Sequence, residues 1–256
     1  MTYNDWMNQM DSLFTVRFTR DDLEALKQAL SDMVEPVTIY TFVDDSCRYC
    51  GNTVELIDIL AKASPKRGDR KLIKHVVFSR KENEEMFIKF GVNRVPTVLL
   101  LNGYIRYVGM PAGEEIKGLV ETIIRISRGE SGLSSRTKEV LGNLKGKVVI
   151  EVLTTPLCPY CPYAALLANM FAFESYIRGS KAVVGEIIEA FENPDIADKY
   201  GIMSVPAVAI NGRLEFMGVP YEDQLLNRVV KHASESFTKE FKEKYIRDIL
   251  KSMEES

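Results

Sequence analysis

Two stretches of this chain are near copies of each other. "FGVNRVPTVLLLNGYIRYVGMP" (90–111) and "YGIMSVPAVAINGRLEFMGVP" (200–220) both run aromatic-Gly-aliphatic, Val-Pro, an apolar strand, Asn-Gly, a second strand and Gly-aliphatic-Pro. The offset is 110 at the prolines and 109 from Asn102/Asn211 onward; two CxxC pairs, in "DSCRYCGN" and "TPLCPYCPY", follow at an offset of 111. One gapped match of this length can arise by chance, but a match that carries its cysteine pairs along describes one fold used twice. The 256 residues then divide into two units of small-domain size.

Each copy spells the same elements. "PVTIYTFV" (36–43) is too short for a helix and rich in β-branched residues, so it reads as a strand. The first CxxC opens a helical pattern carried by Val54, Leu56, Ile57, Ile59 and Leu60. "KHVVFS" (74–79) is a strand, and a helix near 82–90 stops at Gly91. "TVLLL" and "YIRYVG" form a hairpin about Asn102-Gly103, and a helix covers about 113–128. The second copy reads "VVIEVL" (148–153), a CxxC helix (158–178), "AVVGEII" (182–188) and a helix near 194–200. It closes with "AVAI" and "RLEFMG" about Asn211-Gly212 and a helix from about 221 to 232. Polar "SRGESGLSSRTKE" (127–139) separates units 1–130 and 131–256, and a helix near 134–144 leads into the second. A further helical tail from 234 spaces Phe237, Phe241, Tyr245, Ile249 and Leu250 as a stripe expected to cover apolar surface, on the body or in a homo-oligomer.

Composition narrows the function classes. A net charge of −3 with 27% charged residues gives no long-range attraction to nucleic acid or to an anionic membrane. No apolar run approaches the roughly 18 residues of a membrane span. The opening "MTYNDWMNQMDSLF" lacks the basic flank and apolar run of a signal peptide, so the expected compartment is the cytoplasm. All four cysteines fall in the two pairs Cys47/Cys50 and Cys158/Cys161, which points to redox or metal chemistry rather than a disulfide scaffold.

A thiol attacks a disulfide only as thiolate, and a helix N-terminus offers a sulfur unpaired N–H groups and the positive end of the dipole. The pattern places Cys47 and Cys158 there as attacking groups, with Cys50 and Cys161 one turn in as resolving groups. Arg48 is expected to favour the Cys47 thiolate, with Asp44 and Asp45 opposing it or capping the helix. Pro159 stiffens the second loop and withholds an N–H; Tyr49 and Tyr160 pack beside or rim their sites.

Strand, CxxC at a helix start, strand, helix, Val-Pro, hairpin, helix is the order of the thioredoxin fold. Two such units with CRYC and CPYC resemble the archaeal protein disulfide oxidoreductase family, and CPYC is itself similar to the glutaredoxin active site. The resemblance implies an α/β protein of two tandem thioredoxin-like folds, each a mixed central sheet flanked by helices. It implies a protein thiol–disulfide oxidoreductase that reduces, forms or rearranges protein disulfides, with no cofactor or metal beyond its own disulfides. It also implies cis bonds at Val95-Pro96 and Val205-Pro206, with the Val95 and Val205 backbones holding an extended substrate strand. No GxGxxG or GxxxxGKS/T motif is present, so electrons are expected to pass through a partner, by resemblance a thioredoxin-reductase-like flavoprotein. Thioredoxins often bury an acid six residues before the first cysteine; those positions hold Thr41 and Val152, which leaves Glu151 as a weak proton-transfer candidate.

Other readings compete. A four-cysteine zinc site would have to span the 107 residues between the pairs, where zinc ribbons use about 15–20. An iron–sulfur cluster shared between chains is a further reading, and purely structural disulfides of this spacing would close almost no loop. A chaperone-like binding module and the electron-relay part of a peroxide reductase are the functional alternatives. His75 and His232 read as ordinary surface or strand-end histidines.

Overall fold

The computed structural model describes residues 11–254. Helix α1 (Arg20–Leu30) precedes the first copy and was not read from the sequence, although Thr19 and Asp22 form a reciprocal capping box at its start. The first copy then runs β1 (Val37–Val43), α2 (Cys50–Ala63), a small hairpin β2 (Lys66–Arg67) and β3 (Arg70–Lys71), and β4 (Ile73–Ser79). It continues with α3 (Glu84–Phe90), β5 (Thr97–Leu100), β6 (Ile105–Val108) and α4 (Glu115–Arg128). After α5 (Ser135–Gly142) the second copy runs β7 (Val148–Thr154), α6 (Cys161–Ile177), β8 (Val183–Glu189), α7 (Pro194–Tyr200), β9 (Ala207–Ile210), β10 (Arg213–Met217) and α8 (Glu222–Glu254).

The two copies share one eight-stranded sheet in the order β10-β9-β7-β8-β6-β5-β1-β4. Within each copy the strand after the CxxC helix pairs parallel to the first strand, and the Val-Pro hairpin pairs antiparallel on its other side. The join is the parallel pairing of β6 with β8. Arg106 sits opposite Glu186 in that register and meets it at 3.2 Å, an ion pair at the seam. β6 is mostly buried, whereas its repeat counterpart β10 is an edge with exposed Arg213 and Leu214. The seam also buries Asn169 of α6, whose amide donates to Tyr107 and Thr122.

Turn chemistry follows the residues. Asn211 and Gly212, at φ 48° and 77°, make the two-residue hairpin loop expected of Asn-Gly. In the first copy the loop is one 3-10 turn, Leu101–Gly103, with Leu101 and Asn102 both left-handed. Helix α6 is buried on most of its surface, including Ala164, Ala165, Phe171 and Phe173, because α4 and α5 cover the sides that the sheet does not.

Two helical expectations are corrected. The CxxC helices begin at Cys50 and Cys161, so Cys47 and Cys158 lie in the turn ahead of them rather than in the first helical turn. The expected break between 232 and 234 is absent: α8 runs through both segments. Its Leu225, Leu226, Val229 and Ala233 are buried, while Phe237 is half-exposed. The side chains of Phe241, Tyr245, Ile249 and Leu250, which carried the rest of the stripe, lie outside the described residues. No helix among the described residues is long and apolar enough to cross a membrane.

Candidate active site

Each CxxC is closed as a disulfide, Cys47–Cys50 with Cα atoms 5.5 Å apart and Cys158–Cys161 at 5.4 Å. The strand before each pair delivers the first cysteine to the end of the sheet, and the helix begins with the second. Within each pair the first cysteine is the more exposed residue: Cys47 is half-exposed against a buried Cys50, and Cys158 is 8% exposed against a fully buried Cys161. The Cys161 backbone N–H donates to Cys158 Sγ at 3.1 Å. An N–H from a helix start aimed at a sulfur is the environment that stabilises a thiolate when the bond opens. Pro162 follows at a first-turn position, where its missing N–H costs nothing.

Val95-Pro96 and Val205-Pro206 are both cis. The prolines are buried, and Val95 and Val205 are half-exposed ahead of β5 and β9. The tuning residues are arranged differently from expectation. Arg48 is held by Asp11 at 2.8 Å and lies over the Tyr49 ring, so its charge is compensated from upstream. Arg48 and Tyr49 both donate to Asp11 and hold its carboxyl below the usual range. Burial, together with Asp11, pushes the Tyr49 phenol up to about 12. Asp44 accepts from the Ser46 backbone and from Arg80, which lowers its pKa; it caps no helix, and its charge is answered by Arg80 rather than set against Arg48. Glu151 accepts from Tyr200 and from the Gly212 backbone at the β9–β10 turn, away from the second disulfide, and is corrected as a proton-transfer candidate.

The two rims differ position by position. Leu157, Tyr160 and Tyr163 are exposed around the second disulfide, and Met203 and Tyr221 stand exposed on the adjoining loops, Met203 at 99%. The repeat counterparts in the first copy are Ser46, Tyr49, Asn52, Asn93 and Ala112. There Phe14 stacks on Tyr49 with ring centroids 4.3 Å apart, Asn52 donates to the Phe14 carbonyl, and Ala112 is buried.

Sequence reading missed the acids between the two sites. Glu115, at the start of α4, is 1% exposed, and neither of its carboxylate oxygens has a hydrogen-bond partner among the described residues. Burial first, then the nearby Glu189 and Glu114, push its pKa up to about 8. The Glu114 backbone N–H donates to the carbonyl of Pro156, two residues before Cys158, and Gly118 packs against Pro162, just after Cys161. These two contacts set the start of α4, where Glu115 sits, against the segments that flank Cys158 and Cys161. Glu189 is likewise raised by burial to about 8, against the N–H groups of Glu192 and Phe191. Glu192, raised by burial to about 7, accepts the Met110 N–H. The histidine reading is corrected too. Both rings are buried and each meets a carboxylate at 2.7 Å: His75 with Asp58, and His232 with Glu215.

Gly113 has φ +58°, and a Cβ there would collide with the Pro156 carbonyl. Gly113→Ala is expected to cost about 1–3 kcal/mol in chemical denaturation and to perturb the Cys158 turn more than the Cys47 turn. Differential alkylation of the two reduced sites reads this directly.

Among the described residues no group of three or more His, Cys, Asp or Glu side chains could hold a metal ion. A thioredoxin domain model matches the chain twice, at residues 37–121 and 148–230. A crystal structure of a protein disulfide oxidoreductase from Aeropyrum pernix is 47% identical and superposes with a TM-score of 0.86, covering 88% of this chain and 98% of the other. A thioredoxin from Methanocaldococcus jannaschii is 42% identical over 85 residues, 33% of this chain and 95% of its own length. The alkylhydroperoxide reductase AhpF of Enterococcus faecalis shares the fold at 21% identity and a TM-score of 0.72, covering 83% of this chain and 99% of that one.

Proposed function

Because the chain belongs to the protein disulfide oxidoreductase family, built of two thioredoxin domains, we propose that its two CxxC sites exchange disulfides with protein substrates by one two-step chemistry under different control. The division between units is taken at 130/131, inside the connection that follows the left-handed Gly129 cap of α4. In the reducing direction the Cys47 or Cys158 thiolate attacks a substrate disulfide. The substrate S–S bond breaks, a mixed disulfide forms, and the first substrate sulfur leaves as thiolate. Cys50 or Cys161 then gives up its proton and attacks its partner; the CxxC disulfide closes and the second substrate sulfur departs. The observation that carries this reading is the pairing, in both copies, of a CxxC disulfide at a helix start with a cis Val-Pro that opens a strand.

Val95 and Val205 would offer their backbone to an extended substrate segment, with Pro96 and Pro206 as the floor, a mode that tolerates varied sequences. At the second site Glu115 is the proton-transfer group: its carboxylate takes the Cys161 proton and its acid form returns it. The apolar rim of the second site suits segments exposed in incompletely folded proteins. Electrons come from a partner, for which a thioredoxin-reductase-like flavoprotein is the natural class, and the cytoplasm is the matching compartment. A disulfide-reduction assay on Cys47→Ser/Cys50→Ser and Cys158→Ser/Cys161→Ser variants tests the division of labour. The first variant should keep most turnover of a protein substrate and the second should lose it; the reverse would overturn the ranking.

A further inference from the structure

The repeat counterpart of Glu115 is Gln224, whose side chain accepts from the Tyr221 N–H. What lies on the inner face of β1 is a hydrogen-bonded chain of three side chains. Thr41, fully buried, meets His75 Nε2 at 2.8 Å, and His75 Nδ1 meets Asp58 at 2.7 Å. The His75 side chain is 5% exposed and that of Asp58 48%, so the chain leads from the interior to solvent. The Asp58 carboxylate only accepts, so Nδ1 carries a hydrogen; with the ring neutral, Nε2 accepts and the Thr41 hydroxyl donates to it. The Thr41 oxygen is left with lone pairs.

The order of elements carries the Thr41 end of this chain toward the disulfide. Val37 and Ile39 belong to the same apolar cluster as Ile57 and Leu60 of α2. The short turn at 44–49 folds α2 back over β1, so two residues beyond Ile39 brings Thr41 toward the start of α2, where Cys50 and Thr53 are buried. Asp58 is the charged group that meets the ring. On the same face β1 contributes Val37, Ile39 and Thr41, and β4 contributes Ile73 and Val77. Glu55 and Lys62, one turn either side of Asp58 on α2, are exposed.

We propose that Thr41, His75 and Asp58 form the proton relay of the first site. This rests on Cys47 attacking and Cys50 resolving. In the resolving step the Cys50 thiol passes its proton to the Thr41 oxygen while the Thr41 hydroxyl hydrogen moves to Nε2. The resulting imidazolium is held by Asp58 and later returns the proton to solvent or to the departing substrate thiolate. Thr41 meets the sulfur's proton; His75 and Asp58 act through it as positioning residues. The second copy has Val152 in place of Thr41, so the two sites move their protons by different groups.

The test uses the full chain carrying Cys158→Ser/Cys161→Ser, reduced and mixed with an aromatic disulfide in stopped flow. Cys47 releases one aromatic thiolate on attack, and Cys50 releases the second on resolution, so the two steps are read separately. His75→Gln and Thr41→Val should leave the first phase unchanged. At neutral pH they should slow the second on the order of 100-fold, the lower end of general-base effects, with the deficit shrinking as pH rises and hydroxide takes over as base. Thr41→Ser should restore the wild-type profile. Thr41→Val keeps the test sound if His75→Gln folds poorly, because Val152 already fills that place in the repeat. Second-phase profiles that superimpose on the parent would overturn the relay, as would slowing in Thr41→Val alone with His75→Gln folded. Absence of two phases in the parent would instead overturn the attacking and resolving roles.

Discussion

Cys50→Ser and Cys161→Ser variants should remain covalently joined to protein substrates, while Cys47→Ser and Cys158→Ser variants should not. In each pair the first cysteine is the more exposed residue and the second is buried at the helix start. An incoming disulfide therefore meets Cys47 or Cys158, and only the inner partner can release it. The combined Cys47→Ser/Cys158→Ser variant should show no turnover above background, because loss of a nucleophile removes most of the catalysis that depends on it. Trapped complexes appear on non-reducing gels and collapse with reductant. Equal trapping by both cysteines of a pair would contradict the assignment.

The second large effect concerns Glu115. Burial keeps its carboxyl protonated up to about pH 8, so it donates below that value and accepts above it. Glu115→Gln should slow resolution at Cys158/Cys161 on the order of 100-fold and remove the inflection near pH 8 from that site's rate profile. The first site should be unaffected. The same group governs stability. Its folded pKa of about 8 lies above the ordinary 4.5, so between those values the folded state binds more protons than the unfolded one. Its stabilising contribution is therefore complete below pH 4.5 and lost as pH rises through about 8, at about 1.4 kcal/mol per unit of displacement. Wild-type Tm should fall across that window, and Glu115→Gln should flatten the fall. A variant with the parental slope would contradict the burial argument.

The repeat, the order of elements and both CxxC–Val-Pro constellations were legible because each is local: period-2 strands, Asn-Gly turns and cysteines three apart survive in one sequence. The seam was not. β6 and β10 read alike as final hairpin strands, and only tertiary pairing decides that β6 is buried against β8 while β10 stays an edge. The acids were missed for a related reason. "GEEIKG" and "EAFENPD" look like solvated turns, and nothing in their spacing says that Glu115 and Glu189 are buried or that Glu192 accepts the Met110 N–H of the other copy. His75 was misjudged because its partner Asp58 is 17 residues away on a different element. The strap from Asp11 to Phe14 over Tyr49 left no sequence signal at all, since its contacts cross some 35 residues and have no repeat counterpart.

The most direct test of the account is the reduction potential of each CxxC, measured by equilibrium thiol labelling in the two double-serine variants. Two working redox couples should each titrate reversibly with two electrons, with midpoints in the range of about −270 to −200 mV spanned by thioredoxin and glutaredoxins. Midpoints below about −300 mV, as in structural disulfides, or thiols that fail to appear on reduction, would contradict it.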